Sequence, residues 1–294
     1  MELYKNEDGY LKLLLDTLNN GVTKNTRNGN VISQFGSIIS FANIEKSFPL
    51  LTTKKIFFRG VIEELLWFLR GSTDAKELQD KNIHIWDGNS SREYLDSIGL
   101  INYKEGQLGK IYGHQWRNFN GSYLNNDGID QIAYVINELK KDNYSRRAVL
   151  SAWNPSQLNE MALPPCHLMY NFYKDNNGLS CMMTMRSSDL FLGLPFNIAS
   201  TSILTLIIAK ILHIPANNIL ITLCDSHIYE EHIEKVLIQT EREIFDFPKL
   251  KINIDAPSLD SDIKTILNWI ENLKYDNFIL EDYKYHDGIK AIMK

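Results

Sequence analysis

The chain has 294 residues, which is enough for one large domain or two small ones. Hydrophobic residues make up 44% and charged residues 23% of it, an ordinary composition for a globular protein. The formal net charge of -5 gives no general attraction to nucleic acid or to an anionic membrane, so neither is expected as a partner. An anionic ligand would instead need a local cluster of arginines.

Cysteine usage indicates a reducing compartment. The three cysteines, Cys166, Cys181 and Cys224, are odd in number and form no Cys-x-x-Cys pair. This argues against a disulfide scaffold or a zinc site, and no metal is expected. The polar, acidic stretch Met1–Tyr10 does not resemble a signal peptide. We therefore expect a cytoplasmic location.

The first half of the chain predicts helices around one strand. Leucines at helical spacing predict an opening helix over residues 5–20, and alternating apolar residues predict a strand over Val31–Phe41. Amphipathic helices are predicted over Gly60–Arg70 and Ile129–Lys141.

The second half is rich in predicted strands. They cover residues 148–153, 167–173, 179–185, 219–223 and 248–254. The sequence Asp175-Asn-Asn-Gly178 predicts a tight turn, and a helix is predicted over Ile228–Glu241. The acidic, amphipathic stretch Ser258–Lys274 is interpreted as a surface elaboration. Because strands and helices mix without regular alternation, the expected fold class is α+β rather than a doubly wound sheet.

The segment Ile198–Ile214 is apolar and nearly long enough to span a bilayer. It contains Ser200, Ser202, Lys210 and His213. We interpret it as a buried core helix of a protein that does not enter a membrane.

The sequence Leu163-Pro-Pro-Cys-His167 carries the strongest candidate for chemistry. Two prolines stiffen the approach to Cys166 and remove two N–H donors. A lone cysteine is more often a small buried apolar residue than a nucleophile. Arginines near it in the sequence, at 146–147 and 186, favour the thiolate because cationic neighbours lower a thiol's pKa.

Arginines are also the usual partners of phosphate, which they bind with two parallel hydrogen bonds. The candidates are Arg27, Arg146, Arg147 and Arg186. Any one of them could equally be a solvated surface charge. Adjacent residues of a strand point to opposite faces, so only one of Arg146 and Arg147 should face a given pocket unless a second subunit takes part.

Two polar segments flank the apolar run Ile198–Ile214. In Asp189–Asn197, an acid, a glycine and an amide surround two aromatic residues. The Asn197 amide offers a donor and an acceptor that match a uracil edge, although it could instead cap the following helix. Asp225–Tyr229 follows a predicted strand, where polar side chains can hold a sugar hydroxyl.

Taken together, these pieces resemble thymidylate synthase. The family pattern Leu-x-Pro-Cys-His occurs at Leu163–His167, the run Arg-Ser-x-Asp-x-Phe-Leu-Gly-Leu-Pro-Phe-Asn-Ile-Ala-Ser at Arg186–Ser200, and Asp-x-His-x-Tyr at Asp225–Tyr229. Further matches occur at residues 48–54, 64–69, 85–87, 112–117, 145–147 and 151–154. The resemblance covers residues 5–291.

The resemblance implies one catalytic domain over residues 1–294, with a mixed sheet and surrounding helices. It also implies a homodimer whose interface is the sheet and whose active sites draw on both subunits. Arg146 and Arg147 would then reach the phosphate in the partner's site. Arg27, Arg186 and Ser187 would complete the phosphate pocket from the home subunit.

Other roles carry over residue by residue. Asn197 reads the pyrimidine of dUMP, and His227 and Tyr229 hold its ribose hydroxyl. Asp189 binds the folate pterin and, like His167, is counted with the substrate-binding residues. The folate groove is lined by Trp86, Leu192, Gly193 and Phe196, with Ala291 from the tail. Glu64 organises proton transfer, and Tyr112 lies near the C5 proton that must leave. Catalysis is assigned to Cys166, Glu64, Tyr112, Arg186 and Asn197.

The chemistry that the resemblance implies uses 5,10-methylenetetrahydrofolate as co-substrate. The Cys166 thiolate adds to C6 of uracil and makes an enolate that attacks the folate's one-carbon unit. Asn197 and Glu64 stabilise charge at O4. A hydride from tetrahydrofolate then completes the methyl group and leaves dihydrofolate, so neither a nicotinamide nor a metal is needed.

Four positions depart from the family pattern. Met185 stands where the family has glutamine, and a lost solvated contact and a weaker hydrogen-bond network are expected there. Cys224 replaces a glycine, and Glu231 an asparagine. The tail, which should close over the folate, ends in Lys294 rather than in small apolar residues. We expect its amine to reach solvent while Ile292 or Met293 covers the folate.

Two alternatives remain open at this point. If water reaches the methylene intermediate, the product is a 5-hydroxymethyl nucleotide, as in a dUMP hydroxymethylase of the same superfamily. A catalytically silent, nucleotide-binding or regulatory relative is the other. Asn197 argues against dCMP as substrate, and the retained Cys166, Glu64 and Tyr112 argue against silence.

Overall fold

Residues 3–292 are described by the computed structural model. They fall into two units, of which the first comprises residues 3–57, 174–254 and 277–292, and the second residues 58–173 and 255–276. The strand that follows the Cys166 motif runs from the second unit into the first. The single catalytic domain inferred above stays a prediction.

Helices and strands alternate irregularly along the chain. The helices are α1 (Asn6–Asn20), α2 (Phe58–Leu69), α3 (Lys76–Gln79), α4 (Asp87–Ser90), α5 (Arg92–Ser97), α6 (Tyr112–Arg117), α7 (Gln131–Lys141), α8 (Gly193–Ile211), α9 (Ile233–Thr240) and α10 (Ile263–Glu271). The strands are β1 (Leu3–Lys5), β2 (Val22–Thr26), β3 (Gly29–Phe41), β4 (Val149–Ser151), β5 (His167–Asp175), β6 (Gly178–Asp189), β7 (Ala216–Tyr229), β8 (Lys249–Ile252) and β9 (Phe278–Glu281).

The sheet of the first unit is built on β3 and β7. These two strands pair antiparallel, β1 joins β3 in parallel, and β6 joins β7 in parallel. The exposed strand β2 forms an antiparallel hairpin with β3, and β8 and β9 form a separate antiparallel pair. A mixed sheet with helices in irregular order confirms the α+β class.

Helices cover one face of this sheet. Ile39, Ile221 and Met183 stand side by side on β3, β7 and β6, and all three are fully buried. Helix α1 packs on β3, and α8 packs on β6 and β7. Among the described residues, α8 alone is long and apolar enough to cross a membrane. However, 78% of its apolar stretch is buried inside the protein. It is therefore the predicted core helix, although it begins at Gly193 instead of Ile198.

The opposite face of the same sheet is uncovered within the first unit. Ile38, Thr222 and Thr184 form a row across three strands and are only half-buried. Near them Met182 is 38% exposed and Phe35 84% exposed. An apolar sheet face normally packs against another layer.

The second unit is mainly helical. Helix α2 packs against α3, α6 and α10, and α7 packs against α6, α10 and β4. Strand β4 pairs antiparallel with β5 over Val149–Ser151. Trp67 of α2 and Trp116 of α6 lie in its core, where neither is more than 1% exposed.

Most predicted elements are confirmed, and the exceptions lie in the second half. Strand β7 continues through Tyr229 because its backbone pairs with β3 and β6 as far as that residue, so Asp225–Tyr229 lies in a strand and does not follow one. Helix α9 consequently begins at Ile233 and not at Ile228. The surface interpretation of Ser258–Lys274 is wrong for Ile266 and Ile270 of α10, which are 1% exposed.

Candidate active site

Cys166 lies in the second unit at the start of β5, directly after Pro164 and Pro165. Its thiol forms no disulfide with another described residue and is half-buried. The backbone N–H of Cys166 donates a hydrogen bond of 2.6 Å to the phenol oxygen of Tyr112. Since the prolines have no N–H to donate, the Cys166 N–H is the first backbone donor after Leu163. It holds the cysteine backbone against Tyr112.

Tyr112, the first residue of α6, is held by aromatic packing. It is 3% exposed, and its ring stacks on the His167 ring with centroids 4.0 Å apart. Burial, followed by the neighbouring Cys166, raises the pKa of the Tyr112 phenol well above its ordinary value. The phenol therefore stays protonated near neutral pH and can act as a hydrogen-bond partner to an approaching ring.

His167 packs against one face of the Tyr112 ring. Burial lowers the pKa of its imidazole to about 3, so the ring is neutral at physiological pH. Its Nδ1 lies 3.1 Å from the Tyr170 hydroxyl. Only 7% of His167 is exposed. The substrate-binding role expected for it stays a prediction.

Glu64 of α2 is an acid of the second unit whose pKa is shifted toward neutrality. Burial raises the pKa of its carboxyl to about 7, although a hydrogen bond from Trp86 opposes the shift. The Trp86 Nε1–H donates to Glu64 Oε1 at 2.8 Å, and the Trp86 ring centroid lies 6.1 Å from that of Tyr112. At neutral pH this carboxyl can both donate and accept a proton, as general acid–base work requires.

Arg146 and Arg147 lie on the exposed segment between α7 and β4. The Ser145 hydroxyl shapes this segment by donating to the Glu138 carboxylate at 2.9 Å and accepting the Arg147 N–H at 3.2 Å. Neither guanidinium has a hydrogen bond or ion pair among residues 3–292. Two unpartnered arginines on a fixed segment are suited to an anion from outside the chain.

In the first unit, Asp189 ends β6 and starts the turn into α8. Its Oδ1 accepts the N–H groups of Phe191 at 2.9 Å and Leu192 at 3.2 Å. Asp189 stands beside His227 of β7 in the sheet register. The turn is thus built by one carboxylate oxygen.

Gly193 and Asn197 follow on the first turns of α8. A Cβ at Gly193 would lie 3.7 Å from Asp189 Cβ and 3.9 Å from Asn197 Oδ1, so the glycine leaves a gap between these two side chains. Asn197 lies inside the helix and the N-cap position is Leu192, which rules out the capping interpretation. The Asn197 amide has no side-chain hydrogen bond among the described residues, whereas Leu192 and Phe196 are half-exposed beside it.

The end of β7 presents His227 and Tyr229. Asp225 Oδ1 lies 3.0 Å from His227 Nδ1, and Lys24 Nζ lies 3.0 Å from Asp225 Oδ2. Partial burial alone would raise the pKa of the Asp225 carboxyl, but the hydrogen bonds from Lys24 and His227 outweigh it and lower that pKa. The His227 and Tyr229 rings meet edge to face with centroids 5.3 Å apart.

The remaining predicted residues of the first unit are more dispersed. Arg27 is exposed in the turn between β2 and β3, and Arg186 and Ser187 are half-buried in β6. Ser187 stands beside Asp225 in the sheet. Ala291 lies in the half-buried coil near the end of the described chain.

Two lysines were missed by sequence reasoning. Lys54 is buried, donates to the Phe191 carbonyl and lies 3.5 Å from the Phe191 ring centroid. Burial lowers the pKa of its amine to about 7, with Asp189 opposing and Arg242 adding to the shift. Lys54 stood in a recognised motif and Lys24 did not, but spacing alone does not show that an amine is buried or paired.

The departures from the family pattern have different outcomes. Met185 is 1% exposed, so the expected loss of a solvated contact is wrong, because the position lies in the core, where a thioether avoids burying an amide. Cys224 is half-buried and Glu231 is exposed. Ile292 is 72% exposed, whereas Met293 and Lys294 lie outside the described residues.

The described part of the chain offers no evident metal site. Within residues 3–292, no group of three or more His, Cys, Asp or Glu side chains is arranged to hold a metal ion.

Comparison with known proteins gives the family. The family described as thymidylate synthase matches residues 8–294. The chain is 49% identical over 259 residues to the bifunctional dihydrofolate reductase-thymidylate synthase of Zea mays, which covers 86% of this chain and 50% of that protein. The protein of the same name from Paramecium tetraurelia is 46% identical over 98% of this chain and 61% of its own length. That from Plasmodium berghei is 43% identical over 99% of this chain and 49% of its own length.

The chain thus spans about half the length of the curated relatives it matches. The match runs through each motif described above, from the Glu64 helix to the Asp225–Tyr229 strand. The chain belongs to the thymidylate synthase family.

Proposed function

We propose that this protein converts dUMP to dTMP, with 5,10-methylenetetrahydrofolate as donor of the carbon and of the reducing hydride. The observation that carries the proposal is the hydrogen bond that fixes Cys166 on Tyr112, within an aromatic cluster that also holds Glu64. The relatives named above carry thymidylate synthase in their names, which supports the same activity here.

Cys166 is the proposed nucleophile. Its thiolate forms a bond to C6 of the uracil ring, and the electron pair of the C5–C6 double bond moves toward C5 and O4. The half-buried thiol follows a proline pair and has a fixed backbone, which limits the directions from which a ring can approach. Family membership supports assigning the groups of both units to this one reaction.

Glu64 and Tyr112 are the proposed proton-handling groups. A carboxyl whose pKa is about 7 can deliver a proton toward O4 as charge develops there and take it back later. The Tyr112 phenol, which remains protonated, presents its oxygen where the C5 proton must leave. Neutral His167 keeps the phenol in place without adding a charge.

Nucleotide recognition is assigned to the first unit and to the arginines. The free amide of Asn197 pairs with O4 and N3–H of uracil. His227 and Tyr229 hold the ribose hydroxyl, and Asp225 with Lys24 orients the His227 ring. Arg27, Arg186 and Ser187 bind the phosphate, together with Arg146 and Arg147 of a second subunit.

The residues around Asp189 fit a folate. One Asp189 oxygen builds the turn, which leaves the other oxygen to accept the N–H donors of a pterin. Leu192 and Phe196 offer half-exposed apolar surface next to it. Folate binding there, with Trp86 and Ala291 as further contacts, is part of the proposal.

A homodimer is supported by the uncovered sheet face of the first unit. Its half-buried row Ile38–Thr222–Thr184 and the exposed Phe35 and Met182 call for a second layer, which a copy of the same chain can supply. Mixing inactive Cys166→Ala chains with inactive Arg147→Glu chains should restore activity, because a hybrid can contain one complete site. No recovery after verified subunit exchange would contradict shared sites.

Product analysis tests the whole proposal. The chain is incubated with dUMP and methylenetetrahydrofolate, and dihydrofolate is followed by absorbance while nucleotides are separated. Thymidylate with equimolar dihydrofolate is the expected result. A 5-hydroxymethyl nucleotide without dihydrofolate would identify the hydroxymethylase alternative, and bound but unchanged dUMP would identify the silent one.

A further inference from the structure

The imidazole of His232 is buried at a junction of three segments in the first unit. His232 ends the short 3-10 turn Glu230–His232 between β7 and α9, and its side chain is fully buried. The ring centroid lies 5.4 Å from that of Phe191 and 5.8 Å from that of Tyr229. Its Nε2 lies 3.0 Å from the backbone carbonyl oxygen of Ile292.

The hydrogen bond has a defined direction. A carbonyl only accepts, so Nε2 carries the proton and donates it to Ile292. The Glu231 carboxylate is 3.6 Å from Nε2, too far to compete for that proton. Nδ1 is buried and has no partner among the described residues.

A buried imidazole with one unpaired nitrogen is unusual for a residue that only fills space. A phenylalanine would pack between Phe191 and Tyr229 without burying an unpaired nitrogen, which carries a cost. The hydrogen bond to Ile292 is therefore what an imidazole adds at this position.

The end of the described chain depends on this contact. Upstream, Tyr283 donates to the Leu51 carbonyl, His286 Nε2 lies 2.9 Å from the Glu243 carbonyl oxygen, and Arg242 donates to the Asp287 carbonyl. Within residues 288–292, the contact with His232 is the one hydrogen bond to the rest of the described chain.

We infer that His232 is a positioning residue that tethers residues 288–292 against Phe191 and Tyr229. The inference rests on the proposed function, in which Tyr229 contacts the nucleotide ribose and Phe191 precedes the folate residues Leu192 and Gly193. Nucleotide that fixes the Tyr229 ring also fixes the His232 ring packed on its edge. Binding of dUMP thereby strengthens the tether and sets the end of the chain for folate.

Trypsin cleavage after the exposed Lys290 reports on the tether without using activity. Cleavage tracks the population of open chain when opening and closing are fast. We expect bound dUMP to slow cleavage after Lys290 in the wild type. Replacing the donor by His232→Phe, which keeps a ring in the space, should speed this cleavage about tenfold and abolish the nucleotide effect, since a net hydrogen bond is worth about a factor of ten.

Two further variants sharpen the experiment. His232→Gln restores an N–H donor and should recover most of the protection, and it also serves if His232→Phe does not fold. His286→Phe removes a comparable imidazole–carbonyl contact on the same segment and is the matched control. Its cleavage after Lys290 should keep the dUMP effect.

Kinetics separate tethering from general damage. His232→Phe should raise the folate KM about tenfold, whereas the Kd for dUMP should rise only by the factor by which dUMP slows wild-type cleavage, because the two equilibria are linked. Wild-type cleavage rates in His232→Phe, or an equal loss of the dUMP effect in His286→Phe, would overturn the inference. A wild type that shows dUMP-dependent protection but makes no thymidylate would overturn the proposed function and leave the tether standing.

Discussion

The second unit fixes its proposed reactive groups by burial, whereas the first unit fixes its proposed recognition groups by strand register and turns. Tyr112 and His167 are no more than 7% exposed, and burial also controls the pKa of Glu64. In contrast, a turn holds Asp189, a helix holds Asn197 and the sheet register holds His227, and all three residues are half-buried. Proton chemistry needs a dry environment that shifts pKa values, and recognition needs free donors and acceptors.

Removing the nucleophile should give the largest effect and test the reactive half of this contrast. Cys166→Ala or Cys166→Ser should lower turnover at least about 1,000-fold, because the proposed nucleophile is lost, while dUMP still binds. Turnover and the dUMP Kd are measured together. The control is Cys224→Ala, which should stay within about threefold of the wild type. Near-normal turnover in Cys166→Ala would end the mechanism.

The recognition half is tested by changing one amide atom. Asn197→Asp should shift the ratio of kcat/KM for dUMP over dCMP toward dCMP by roughly 10- to 1,000-fold. A carboxylic acid matches cytosine's amine and N3, whereas the amide matches uracil's O4 and N3–H. Asn197→Ala is the control. It should lower kcat/KM for both dUMP and dCMP without reversing the preference between them. An unchanged ratio in Asn197→Asp would remove this residue from base reading.

Stability against pH measures how strongly burial acts on Glu64. The pKa of its carboxyl is about 7 in the folded chain against 4.5 for the open chain, so the folded state binds the proton more tightly. Stability is therefore lost as pH rises from about 4.5 to about 7 and then levels off. Glu64→Gln removes that loss, and its stability relative to the wild type should rise across this window by on the order of 1–3 kcal/mol.

Thermal melts of both proteins between pH 4.5 and 8 provide the measurement. Trp86→Phe, which removes the opposing hydrogen bond, should move the upper end of the window to higher pH. A constant difference between Glu64→Gln and the wild type would show that burial does not control this carboxyl.

The smallest expected effect concerns the accessible orienting pair of the first unit. Lys24→Met removes the cation beside Asp225 and leaves the Asp225–His227 hydrogen bond in place. Because the pair is partly exposed, we expect the KM for dUMP to rise only about threefold, with kcat unchanged. Steady-state kinetics at varied dUMP decide this. A large fall in kcat would mean that Lys24 acts in the chemical step.

Sequence patterns predicted the elements whose apolar spacing is strong. The leucines of α1, the apolar face of α2 and the long apolar run of α8 each have one compatible structure. The turn before Gly178 was equally clear: the Asn177 N–H bonds to Asp175, and Gly178 has a φ of +124°. The full length of β7 was not predictable in this way, because polar residues at its end are held by pairing with strands distant in sequence.

The candidate site divides along the same line. Motifs pointed to Cys166, Glu64 and Asn197 as candidates, because the proposed chemistry requires those residue types at fixed places in the pattern. They did not reveal that Tyr112 accepts the Cys166 N–H, that Lys54 is buried against Phe191, or that Met185 lies in the core. Each of these depends on contacts between distant segments.

At Gly193, the space left for a ligand can change without a change in the folding of the chain. An alanine methyl there would meet Asp189 and Asn197 only at ordinary contact distances, and the backbone at Gly193 has no positive φ that would require glycine. Such a change would narrow the gap between the two side chains without a folding penalty. In the proposed folate site, alanine at this position would discriminate a bulky antifolate from the smaller natural ligand while the protein stays folded.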